Sequence, residues 1–224
     1  MYTIDTSTIW HFIQSFFGLV GGALRLDPAA FKAVQASASV GIDLLTLTIL
    51  ILAGISLTLG QSVVLLANKV TPRRFVSSLL LNGAIFVVSV LIWVAVFQLV
   101  GRLVFGVKVP FFQMARAVSL AYAPLLLSFF VLLPYLGSFL EHVLDVWSFL
   151  AMLVALSVTL HLDFWQALAC ALLGWVLIQL LKYTIGRPIV ALEHWLRQAA
   201  AGVPLSYRMQ ELVSDGGKRK GKVP

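Results

Sequence analysis

Residues 121–137 read AYAPLLLSFFVLLPYLG, and they open an apolar run that continues to Tyr183. Prolines interrupt it at Pro124 and Pro134, an acidic turn comes next at Glu141 to Asp145, and a second turn at His161 to Asp163. A bilayer core about 30 Å thick takes about 20 apolar residues per helical crossing. The run therefore reads as three consecutive membrane crossings joined by tight turns.

The rest of the chain has the same character. Of its 224 residues 60% are hydrophobic and 11% charged, with a mean hydropathy of +0.98, outside the range of soluble globular domains. Charge-free stretches recur at 44–68, 75–101, 117–140, 146–162 and 164–181. The expected fold is all-α: a polytopic membrane helix bundle with about five transmembrane helices and flanking interfacial amphipathic helices. The transmembrane domain is placed at 38–186, with spans at about 40–67, 76–104, 117–136, 141–160 and 164–185.

The third span is unusual because it holds two prolines. Each removes a backbone donor and crowds the carbonyl one turn back, so kinks are expected near Ala121 and Phe130. The freed carbonyls need partners inside the protein, since lipid offers none. Tyr122, Ser119 and Ser128 are the nearest. Kinked membrane helices can line a cavity or gate, which makes Tyr122, Pro124, Pro134 and Gly137 the candidate functional kink. Kinks that only shape the bundle are the alternative.

Small residues mark two candidate packing faces. Ser56 and Gly60 are four apart on the first span, so they share a face and admit a close backbone. Ala167, Cys170, Ala171 and Gly174 make a broader stripe on the fifth. The lone Cys170 leaves no disulfide framework or cysteine metal site.

Outside the spans, residues 1–37 form an N-terminal interfacial region. Residues 8–24 are read as a helix at the membrane surface, with Trp10, Phe12, Phe16 and Phe17 toward the acyl chains; a sixth crossing is the rival. No basic leader precedes it, so no cleaved signal peptide is expected. Asp27-Pro28 has the form of a helix start, and so has Asp163 with Gln166 three residues on. Residues 187–213 hold an amphipathic surface helix and linker, and 214–224 read as a disordered basic tail.

The formal charge of +7 lies in residues that flank apolar runs, so anionic lipid headgroups explain it and nucleic acid is not an expected partner. Of the 16 Lys and Arg, five (Arg25, Lys32, Arg102, Lys108 and Arg116) fall on the N-terminal side and the rest on the side of loop 69–74 and the C-terminus. The positive-inside rule then favours an external N-terminus and a cytoplasmic C-terminus.

Glu141, His142 and Asp145, with His161 and Asp163, are the clustered ionisable groups. They stand at opposite ends of the fourth span, about 30 Å apart at 1.5 Å per residue, so they cannot form one site, and turn capping accounts for each. No phosphate loop, zinc-protease helix or nucleophile elbow is present. Neither an enzyme activity nor a catalytic residue, metal or cofactor is expected.

The order Tyr122-Ala123-Pro124, Pro134-Tyr135-Leu136-Gly137, Trp147, Leu160-His161-Leu162-Asp163 and Gln166-Ala167-Leu168 resembles the C-terminal half of the Yip family, the Ypt/Rab-interacting protein domain. The resemblance covers about residues 70–183 and is carried by Tyr122, Pro124, Pro134 and Gly137. It implies a domain of about five spans, and for the eukaryotic members binding of prenylated small GTPases. The acidic Asp-Leu-Tyr-Gly-Pro segment those members carry before their first span is missing here, so small-GTPase binding is not carried over. A bacterial-type member in an inner or thylakoid-type membrane is the closer analogy. The expected function is an integral membrane adaptor or scaffold with a membrane protein partner or a second copy of itself. The alternative is a small permease or channel using a cavity at the kinked third span.

Overall fold

The computed structural model describes residues 4, 8–36, 39–61, 72–133 and 136–180. The chain divides into two units, Met1–Ile178 and Gln179–Pro224, and the helical bundle belongs to the first. The surface helix and linker expected at 187–213, the tail expected at 214–224, residues 62–71, Pro134 and Tyr135 lie outside the described residues.

Among the described residues all regular structure is helical. The helices are α1 (Ile9–Leu24), α2 (Pro28–Ala36), α3 (Val40–Gln61), α4 (Pro72–Val104), α5 (Phe111–Ala121), a 3-10 segment (Ala123–Leu132), α6 (Gly137–Leu160) and α7 (Phe164–Leu180).

Four stretches are long and apolar enough to cross a membrane: Val40–Gly60, Leu79–Val104, Phe111–Leu132 and Gly137–Leu160. This is the architecture of a multi-pass membrane protein. The shortest has 21 residues, about 30 Å of helix. Helix α1 is shorter than these, and so is α7 as far as Leu180, where the described residues end.

The bounds correct the sequence reading in three places. Helix α6 begins at Gly137, so Glu141, His142 and Asp145 lie on a helix and form no turn. Helix α5 begins at Phe111, six residues ahead of the span expected from 117. The third span is no kinked α-helix but an α-helix to Ala121 continued by ten residues of 3-10 helix, which ends at Leu132 with Leu133 N–H on Phe130 O.

Local chemistry sets several ends. Asp27 caps α2 by accepting the Ala29 N–H at Oδ1, 2.9 Å, and Pro28 needs no partner at the first helical position. Helix α1 closes on Leu26, in the left-handed region at φ 56°, with Asp27 N–H returned to Gly22 O and Leu26 N–H to Ala23 O. That is the double bond of a Schellman turn. His161 stands in the same region after α6 at φ 53°, with Leu162 N–H on Ser157 O. The Gln166 carboxamide oxygen then accepts Asp163 N–H at 3.1 Å, half of a capping box. The turn at His161 to Asp163 is as the sequence predicts, and the box is closed from the Gln166 side.

The core joins all these helices. Leu19, Phe31, Leu45, Ile49, Val94, Met114, Leu120 and Leu156 are almost fully buried in it. Helix α2, read from sequence within an interfacial region, packs on α5 and α6 with Ala30, Phe31 and Val34 fully buried. The 3-10 segment lies mainly on α3, and then on α6.

Candidate functional site

The break after Ala121 comes from Pro124. An α-helix running through it would have no donor there and would press the ring against Leu120 O, and the preceding Ala123 is pushed out of α geometry. The chain turns at Tyr122 (φ −85°, ψ 3°) and resumes with Leu125 N–H bonded to Tyr122 O at 3.0 Å. The partners that the sequence offers the disturbed backbone nearby are Tyr122, Ser119 and Ser128. What reaches the segment's backbone from another span is Ser56, from α3, six residues past the carbonyl that Pro124 itself frees.

Ser56 Oγ donates to Leu126 O at 2.8 Å and accepts from Phe129 N–H at 3.0 Å. Leu126 and Phe129 are three apart, the spacing of one 3-10 hydrogen bond, so a single hydroxyl from another span addresses both ends of that bond. One turn on, Gly60 lies so close that a Cβ there would collide with Ser128 O. Gly137 is held in the same way against Val131 O. The small-residue face of α3 and the proline break thus form one junction.

Tyr122 joins it from the other side. Its ring meets Phe86 of α4 edge-on, centroids 5.3 Å apart at 79°, a favourable aromatic arrangement. Phe86 in turn occupies the space a side chain at Gly54 would need. Pro124 is buried in the segment's first turn. Between α3, the 3-10 segment and α6 lies a small cleft lined by Leu57, Gly60, Ser128, Val131, Glu141 and Asp145.

The second small-residue stripe lies elsewhere. Ala167 and Cys170 are fully buried and Ala171 nearly so, and a Cβ on Gly174 would come within 2.8 Å of the Phe97 ring. This face of α7 docks on α4.

Three polar contacts have no counterpart in the sequence reading. Arg116, counted from sequence among loop charges, is 8% exposed and pairs through Nε with Asp43 Oδ1 at 2.5 Å. The reason is positional: Arg116 falls on the buried face of α5, where the first turn of α3 presents Asp43. One turn earlier, Gln113 Nε2 donates to Gln35 Oε1 at 3.3 Å, and Gln35 Nε2 donates to Thr159 Oγ1 at 2.5 Å. This row ties α2, α5 and α6. The available signal was the i, i+3 pairing of Gln113 and Arg116, with Asp43 at the matching end of α3.

Glu141 and Asp145 stand one turn apart on α6, and His142 Nδ1 lies 2.6 Å from Ser138 O. Among the described residues no three His, Cys, Asp or Glu side chains are grouped to hold a metal ion.

Comparison with family models, with curated proteins and with solved structures finds no match to this chain.

Proposed function

We propose that this chain is a non-enzymatic integral membrane adaptor that holds a membrane protein partner, or a second copy of itself, along α4. The observation that carries the reading is the outer face of that helix. Its most apolar window has the highest mean hydropathy of the four spans, 2.6, yet 22% of it is buried within the chain, against 44% to 56% in the others. On the uncovered side Ala84, Val88, Leu91 and Ala95 are all exposed. They recur at spacings of four, three and four, the seam spacing of packed helices. The alanines would let a second backbone come close, which is how spans associate where lipid is as apolar as leucine.

The Yip resemblance on Tyr122, Pro124, Pro134 and Gly137 supports a role of the same kind, in a bacterial inner or thylakoid-type membrane. Extraction into native lipid nanodiscs tests the reading. A stoichiometric partner or homodimer, lost when Ala84 and Ala95 are both replaced by Phe, is expected; a monomer without partner from its own membrane would end it.

The cleft favours one second reading, a small permease that takes a cation, because Glu141 and Asp145 line it beside the broken span. Broken helices and intramembrane carboxylates are the usual material of such sites. Proteoliposomes loaded with a pH dye and a sodium dye decide it: flux lost on Asp145→Asn supports the reading, and no flux of either ion ends it.

A further inference from the structure

No single proline accounts for the length of the 3-10 run: Pro124 acts at its first turn, and Pro134, which has no N–H for Phe130 O, at its last. Such runs rarely exceed three or four residues, and here one extends from Ala123 to Leu132. Pro124 explains the first turn only. Beyond it, Leu125 to Leu132 reads LLLSFFVL, with no Gly or Pro and with leucines that favour an α-helix. Composition alone therefore permits α geometry within a turn of Pro124.

What the stretch meets instead is α3. The Ser56 hydroxyl holds the Leu126 O and Phe129 N–H pair, and Gly60 lies against Ser128 O. In α geometry Leu126 O would take its bond from Phe130 and Phe129 N–H would turn to Leu125 O, so both groups that Ser56 binds would be engaged within the helix. The hydroxyl therefore favours the 3-10 form, in which both groups turn to it.

The two forms differ in length. Ten residues rise about 20 Å as a 3-10 helix and about 15 Å as an α-helix. We infer that the segment Ala123–Leu132 is a two-length element, with Ser56 as the latch that keeps it long. Its release shortens the third span by about one helical turn and draws Val131 away from Gly137, at the cleft that Glu141 and Asp145 line. Stretches of 3-10 within longer helices are where hinges are commonly found. In this chain the hinge and its latch belong to different spans, so anything that slides α3 along the segment operates it.

The experiment is a pulsed dipolar distance measurement on the full chain in nanodiscs. Cys170, buried and free, is replaced by Ala, and spin labels are placed at the exposed positions Phe112 and Leu133, which bracket the segment. A second pair at Leu80 and Leu99, exposed on α4, reports the intact bundle. With Ser56 present a single long distance is expected. Ser56→Ala, which removes one oxygen, should shift population to a distance shorter by about 5 Å with the α4 pair unmoved. Pro124→Ala, which restores the missing donor, should shift it the same way by an independent route. Unchanged Phe112–Leu133 distances in both variants would overturn the inference.

Discussion

The Ser56 hydroxyl donates to Leu126 O at 2.8 Å and accepts from Phe129 N–H at 3.0 Å, so a side chain of α3 completes main-chain bonding in a different span. Its stability effect is separate from its effect on length. Ser56→Ala loses two hydrogen bonds where no water replaces them, a loss of about 1–2 kcal/mol for interhelical bonds of this kind. Thermal unfolding in mild detergent should show a lowered midpoint. A midpoint equal to wild type would mean the bonds contribute nothing.

The glycines make opposite cases. At Gly60 an added Cβ collides with Ser128 O, which is backbone and cannot swing aside, so Gly60→Ala should cost about 1–3 kcal/mol as overpacking. At Gly18, inside α1, a Cβ meets nothing within 4 Å. Gly18→Ala should stabilise by about 0.5–1 kcal/mol through helix propensity alone. Parallel denaturation of the two variants checks the sign of each, and equal effects would contradict the close approach at Gly60.

Arg116 and Asp43 are unequal partners, with side chains 8% and 42% exposed. Removing the carboxylate takes the counter-charge from a buried cation; removing the cation leaves a carboxylate with a path to water. Asp43→Asn should therefore destabilise more than Arg116→Met, by an excess on the order of 1–2 kcal/mol. A double-mutant cycle isolates the coupling, and additive losses would show that the pair is not coupled.

His161 stands in the left-handed region at φ 53°, where a β-carbon is strained and glycine is not. His161→Gly should be neutral or stabilising by up to about 1 kcal/mol, while His161→Val should cost at least as much. If His161→Gly instead unfolds the chain, the side chain holds the turn by contacts of its own.

Whatever is local or cumulative was legible in the sequence. Span length comes from the sum of apolar residues against a fixed bilayer thickness, and the caps at Asp27 and Asp163 involve residues two or three apart. The break at Tyr122 was legible too, because proline blocks its own helix. Arg116 was not, because its charge says nothing about which face of α5 it occupies. Nor was the partner of the broken span, because Ser56 lies 70 residues before Leu126 and no local pattern links the two.

By itself, then, the sequence determined that the chain is a helical membrane bundle and where its third span breaks, since both depend on hydropathy and on proline's missing donor. Only the tertiary structure decided the form of the helix beyond the break. LLLSFFVL suits either helix, the two differ in which carbonyl each N–H reaches, and the choice went to the form whose groups meet the Ser56 hydroxyl and the bare backbone at Gly60. Hydrocarbon offers no competing partner, so a hydroxyl from another span is enough to select it.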